Sequence, residues 1–223
     1  AGVDCDKRTI LITEQNGTQT SSQEVTFQSR SPYSVWQTND IVDNRMIGDV
    51  FYIGLHDCQT GAALDKTIDS LKQAVDGGIT RVIIDVRNNP GGNSDACEKL
   101  LAAIGMRPPE YGVYVRKSPL AMAQRNGTVD WNADIKPDLS TAKINPRISL
   151  VVLTNEFTYS SATMLAVWVQ DGKLGTVIGY PSANSPSCYG DVLSFQLKNS
   201  GIKGQVSFKR WLRPDTSADQ RML

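Results

Sequence analysis

The sequence predicts an α/β domain built on a largely parallel sheet with flanking helices, preceded by a short β appendage. Three observations carry this. Strand-like and helix-like patterns alternate through the middle of the chain, the signature of crossover connections between parallel strands. Two segments, "TRVIIDV" (80–86) and "RISLVVLT" (147–154), are near-continuous apolar runs of the kind buried on both faces. The helical segment that follows the second run is apolar nearly all round, which places it centrally. With 223 residues, 40% of them hydrophobic, the chain holds one full domain and a small appendage.

Taken in order, residues 8–13 (RTILIT) and 23–28 (QEVTFQ) predict two strands separated by polar, glycine-containing turn sequence. A polar stretch follows, so residues 1–45 read as the appendage and 46–223 as the core. "DVFYIGL" (49–55) predicts a buried strand. Over 62–77, Leu64, Ile68, Leu71 and Val75 share one helical face, and Gly77-Gly78 ends the helix. The strand at 80–86 leads into a turn-rich loop, "RNNPGGNS", and a helix over about 94–105 that turns Cys97, Leu100, Leu101 and Ile104 inward. "YGVYVR" (111–116) reads as an edge strand, and 117–146 as an irregular excursion. A third buried strand at 147–154 precedes the apolar helix at 160–171, a short strand at 175–180, and a closing antiparallel pair at 191–197 and 204–212.

Charge is balanced, with 23 basic and 23 acidic residues. Bulk charge therefore favours neither nucleic acid nor an anionic membrane. No apolar run approaches the ~20 residues of a membrane helix, and the first residues contain no signal-peptide core. Cys5, Cys58, Cys97 and Cys188 are too scattered for a zinc pattern, so no metal or cofactor is expected. Their even number permits disulfides, and sequons at Asn16 and Asn126 permit glycosylation; ordinary buried cysteines fit as well.

Parallel sheets handle ligands at the carboxyl ends of their strands. Three loops fall there: "HDCQTG" with His56, the chain's single histidine; "RNNPGGN" with Gly91 and Gly92; and "NEFTYSSA" with Ser160 and Ser161. A serine needs a base and oxyanion donors to act as a nucleophile. Helix N-termini and glycine-rich loops supply such donors from the backbone. Ser160 as nucleophile, His56 as base, and the Ser161 and Gly91 N–H groups as oxyanion donors make a consistent acyl-transfer set. Each part also has a plain structural reading. A serine pair before a helix caps it, "NNPGG" makes a turn, and a single histidine after a strand is a surface or structural residue.

The segments "TRVIIDVRNNPGGNSDACEKLLAAI" and "ISLVVLTNEFTYSSATMLAVWVQDGKLGTVIGYPSA" resemble the core of the C-terminal processing (tail-specific) serine peptidases, which is similar to that of the tricorn protease. The resemblance covers about 46–212 and rests on "D-x-R-N-N-P-G-G" followed some seventy residues later by "N-x-x-T-x-S". It implies a crotonase/ClpP-like core, often preceded by a PDZ module, of which residues 1–45 would be the closing strands. The chain would then be a piece of a longer, extracytoplasmic protein. It further implies an endopeptidase without a cofactor, acting on protein or peptide substrates through an acyl-enzyme on Ser160. Ser161 would supply the following N–H, and Gly91-Gly92 the glycine donor.

The family lysine is the departure. Its position aligns with Ser185 in "GYPSANSP", and no lysine occurs between Lys173 and Lys198; Thr163 stands where the family has glutamate. Either a histidine serves as base, which within this chain means His56, or the protein is an inactive relative that binds peptides or other ligands. Asp57, Asp191 and Asp215 are open candidates for the third member of a triad. A crotonase-type acyl-CoA enzyme is the remaining rival, and the "N-x-x-T-x-S" pattern weighs against it.

Overall fold

The structure is a computed structural model that describes residues 7–16, 19–28, 40–125 and 134–219. Cys5, the sequon at Asn126, and most of the polar stretch after residue 28 lie outside the described residues. The chain divides into two compact units, Ala1–Gln37 and Thr38–Leu223. In the first, strands β1 (Lys7–Asn16) and β2 (Gln19–Gln28) pair antiparallel, from Lys7 opposite Gln28 to Asn16 opposite Gln19.

The second unit carries the crossovers. Its elements are β3 (Val42–Ile47), β4 (Val50–Leu55), α1 (Ala62–Asp76), β5 (Arg81–Asp85), α2 (Asp95–Ala103), β6 (Gly112–Val115), α3 (Pro119–Arg125), β7 (Ser149–Thr154), α4 (Ser161–Asp171), β8 (Thr176–Gly179), β9 (Cys188–Gln196) and β10 (Lys203–Leu212). The main sheet has the order β3-β4-β5-β7-β8. β3 runs antiparallel to β4, and the other neighbours are parallel.

Period-two alternation decides which face packs. Ile53, Leu55, Val82, Ile84, Leu150 and Val152 point one way and are buried against α1, α2 and α4. Their alternates Tyr52, Ile83, Val151 and Leu153 are only partly covered. The α1 stripe Leu64, Ile68 and Leu71 lies on the buried face. Helix α4 has no polar side because it meets β7 and β8 on one flank and α2 on another, and Trp168 meets Tyr111 edge-on with ring centroids 6.1 Å apart.

The mixed α/β class and the mostly parallel sheet agree with the sequence expectation. Three details differ. The boundary suggested at residue 45 falls inside β3, a strand of the main sheet. β3 ("VDNRMI") gives little apolar signal because it is an edge strand on which only Val42 is buried. The excursion at 117–146 contains α3, started by Ser118 Oγ accepting the Ala121 N–H at 3.1 Å. The edge strand expected at 111–116 is at an edge, but of a separate antiparallel sheet, β6-β10-β9, formed with the closing pair.

Candidate active site

Two asparagine-rich loops at the carboxyl ends of β5 and β7 are tied to each other by hydrogen bonds. Asn155 Oδ1 accepts the Asn88 and Phe157 N–H groups at 2.9 and 3.1 Å, and Asn155 Nδ2 donates to Asn88 Oδ1 at 2.9 Å. The Asn88 backbone that presents these groups has φ 62°, a conformation asparagine tolerates better than most residues. The buried Thr158 hydroxyl donates to Val86 O at 2.9 Å and accepts the Asn155 N–H at 3.0 Å. Tyr159 N–H reaches Asn89 O at 2.9 Å. Asn89, fully buried, donates from Nδ2 to Leu55 O at 2.8 Å, which joins the β4 end to the same network. The motif residues around the serine pair are thus the struts of the site.

At its centre Ser160 sits at the N-cap position of α4, yet its side chain makes no capping hydrogen bond. Its backbone has φ 53° and ψ −122°, a strained conformation for a residue with a Cβ. It is exposed, while Ser161 is buried. Ser161 Oγ donates to Gly92 O at 2.8 Å and fastens the helix start to the glycine loop. A Cβ at Gly91 would lie 2.5 Å from Ser160 Cβ and 3.0 Å from Ser161 N, so only glycine allows this approach; φ 99° requires it too. Gly91 N–H donates to Asn89 Oδ1 at 2.8 Å. Among the described residues, the Ser161 and Gly92 N–H groups have no acceptor. The site therefore combines an exposed hydroxyl with one unpaired amide at the α4 N-terminus and another in the glycine loop, while the Gly91 N–H expected from sequence as an oxyanion donor is already engaged by Asn89.

Asn184 was missed at the sequence level. Its Oδ1 accepts the Ser160 N–H at 2.7 Å and the Thr163 hydroxyl at 2.8 Å. It belongs to "GYPSANSP", next to Ser185, which stands at the family lysine position. Its visible signal is that Thr163, three residues after Ser160, needs an acceptor beside it.

His56 leaves β4 on the face opposite the helices. Its Nε2 lies 2.7 Å from Asp43 Oδ2. An ionised carboxylate only accepts, so Nε2 is the donor of this bond. Asp43 is steadied by Arg45 at 3.1 Å, and Arg45 itself stacks over Tyr52. Gly54 makes room for the pair, since a Cβ there would meet Asp43 Oδ2 at 2.6 Å. Asp43 falls in the stretch that the sequence reads as the appendage, and it becomes visible only because β3 pairs with β4. Of the three acids weighed from sequence, Asp57 lies beside the glycine loop, its Oδ1 3.1 Å from where a Cβ on Gly92 would stand, and Asp191 and Asp215 are paired with other groups. Asp57 accepts from Gln59 Nε2 at 2.8 Å, Asp191 pairs with Lys209 and Arg125, and Asp215 accepts the Ser217 N–H. Among the described residues, no hydrogen bond joins Ser160 Oγ to His56. β5 separates β4 from β7, which sets their ends about 10 Å apart at the usual strand spacing.

Beside the site, buried Asp85 accepts from Arg87 Nη2 at 2.6 Å and from the Tyr52 hydroxyl at 2.8 Å. Burial alone would raise its carboxyl; the Arg87 side-chain and backbone donors and Tyr52 together outweigh that and hold it below its usual range. Among the described residues no group of three or more His, Cys, Asp or Glu side chains is placed to hold a metal ion.

Residues 49–220 match the profile of Peptidase family S41. The chain belongs to that family. Among solved structures, this family member is similar to the photosystem II D1 C-terminal processing protease, with a TM-score of 0.52 and 16% identity over 93% of this chain. It is similar as well to mature CPAF, with a TM-score of 0.52 and 14% identity over 93% of the chain. The chain spans 51% and 59% of the length of those two proteins. At such identities the likeness is one of fold. No curated protein matches the chain by sequence. Among the described residues, no helix of this S41 member is long and apolar enough to cross a membrane.

Proposed function

We propose that this chain is the catalytic core of a serine endopeptidase of the C-terminal processing type, which hydrolyses peptide bonds through an acyl-enzyme on Ser160. One observation carries the reading: Ser160 is exposed, strained and uncapped, with its Cβ against Gly91 and its neighbour's free N–H at the α4 N-terminus. A serine serving only as a cap would bond the helix amides. In the proposed step Ser160 Oγ attacks the substrate carbonyl carbon. The Ser161 and Gly92 N–H groups hold the oxyanion, while Gly91 permits the close approach. His56, oriented by Asp43, is the base of this reading: it takes the serine proton and later returns it to the leaving amine. Water then hydrolyses the acyl-enzyme.

The substrate is a protein or peptide, as the family implies. A cavity of about 470 Å³ is lined by Ser94, Tyr111, Met164, Trp168 and Trp211. Met164 and Trp168 follow Ser160 at intervals of four residues, so they continue its stripe along α4. Met164 stands about 6 Å along the axis from Ser160. This suits an apolar side chain next to the bond attacked. An extracytoplasmic setting is part of the same reading.

A fluorophosphonate probe tests it on the intact chain. Labelling that is lost in Ser160→Ala and slowed in His56→Gln supports the assignment. Labelling retained in Ser160→Ala removes the nucleophile, and unchanged labelling in His56→Gln moves the base elsewhere. A second reading, a non-catalytic peptide-binding relative, is favoured by the lack of any hydrogen bond from Ser160 Oγ to a base among the described residues. It predicts no labelling and a measurable peptide affinity.

A further inference from the structure

Cys58 and Cys97 are 39 residues apart in sequence, yet their sulfurs lie 3.7 Å apart, both fully buried. Each is built into the wall of the candidate site. Cys58 N–H donates to Gly91 O at 2.8 Å, and Cys58 O accepts the Asn93 N–H at 2.6 Å, so its backbone clamps both ends of the glycine pair. A Cβ at Gly92 would fall 2.3 Å from Cys58 O, so only glycine allows this close approach. The Cys58 thiol points at Asn89 Oδ1 at 3.6 Å, the oxygen that also receives the Gly91 N–H. Cys97, on α2, points at Ser161 O at 3.7 Å, at the start of α4.

We propose that Cys58 and Cys97 are a disulfide-forming pair that, when oxidised, fastens the His56 loop, and with it the glycine loop it is hydrogen-bonded to, to α2. The sulfurs need to close from 3.7 Å to about 2.05 Å, a shift of the order that side-chain rotation supplies. The reaction is thiol–disulfide exchange with a small disulfide such as oxidised glutathione. One thiolate attacks the reagent and releases one glutathione; the second thiolate attacks the mixed disulfide and releases the other. Two protons and two electrons leave the protein, and one S–S bond replaces two S–H bonds. Exchange needs a thiolate. Hydrogen bonding with Cys58, then burial, hold the Cys97 thiol well above its usual range, so exchange in the folded chain is slow.

The covalent link does not depend on the peptidase reading, because its primary readout is a mass. The full chain is unfolded in denaturant with dithiothreitol and refolded in a glutathione redox buffer. Free thiols are alkylated, and the protein is digested without reduction. The expected product is a peptide pair joined through Cys58 and Cys97, with a Tm roughly 5–10 °C above that of the reduced chain. Dithiothreitol reverses both, and Cys97→Ser loses both. Alkylated Cys58 and Cys97 after oxidative refolding, or a link from either one to Cys5 or Cys188, overturns the proposal. If the peptidase reading also holds, the fluorophosphonate labelling rate differs several-fold between the oxidised and reduced forms; equal rates limit the link to stability and leave its existence to the mass.

Discussion

Gly91 and Ser160 approach so closely that a methyl group on the one would sit 2.5 Å from the Cβ of the other. Neither loop can accommodate this, because Asn155, Thr158 and Tyr159 tie the serine loop to the glycine loop by backbone and side-chain bonds. Gly91→Ala is therefore expected to cost about 1–3 kcal/mol through overpacking and a left-handed φ. It should also slow fluorophosphonate labelling at least 10-fold. Thermal unfolding and labelling kinetics of the same preparation check both.

Ser160 carries strain of its own. Its φ of 53° is one that glycine adopts freely. Ser160→Gly is expected to raise stability by about 1 kcal/mol while abolishing labelling, whereas Ser160→Ala abolishes labelling with no such gain. Denaturant melts of the two variants decide it, and equal stabilities would show that the backbone there is not strained.

Asn184 holds the same backbone from the other side. In Asn184→Ala, Ser160 N–H and the Thr163 hydroxyl lose their shared acceptor. The expected outcome is a 10- to 100-fold slower labelling rate with a stability loss of only about 1–2 kcal/mol. A variant that labels at the normal rate would show that the amide merely fills the loop.

Asp85 sets an acid limb. Its carboxyl is held below the unfolded value of 3.8, so at acid pH the folded chain binds fewer protons there than the unfolded chain. The stabilisation it provides is complete above that unfolded value and is lost as pH falls through the lower folded one. Asp85→Asn should lower stability at pH 7 by about 1–3 kcal/mol. It should also flatten the fall in stability below about pH 4. Urea melts from pH 7 to pH 2.5 measure both.

Arg213 is 1% exposed and pairs with the equally buried Asp171, donating from Nε at 3.1 Å, while its Nη1 donates to Ala218 O at 2.9 Å. Arg213→Met strands the Asp171 charge, whose Oδ2 also holds the Asp215 N–H at 3.0 Å. A loss of about 3–5 kcal/mol is expected. The double variant Arg213→Met with Asp171→Leu should recover part of it, and the melting temperatures of the two report this directly.

The sequence alone determined the alternation of strands and helices, because burial marks the chain: near-continuous apolar runs for β5 and β7, and a period between three and four for α1. It also determined which three loops share a rim, since parallel crossovers leave no other place for them. The serine pair and the glycine pair were legible for that reason. What only the tertiary structure decided was contact between segments distant in sequence. β3 has a polar pattern, so Asp43 became visible as the partner of His56 only through pairing of β3 with β4. Asn184 lies 24 residues past Ser160, and Cys97 lies 39 past Cys58; neither spacing carries a periodic signal. Whether Ser160 caps or protrudes was likewise a matter of one backbone angle. That angle follows from the packing of Gly91 and the hydrogen bond that Ser160 N–H donates to Asn184, not from the identity of the serine.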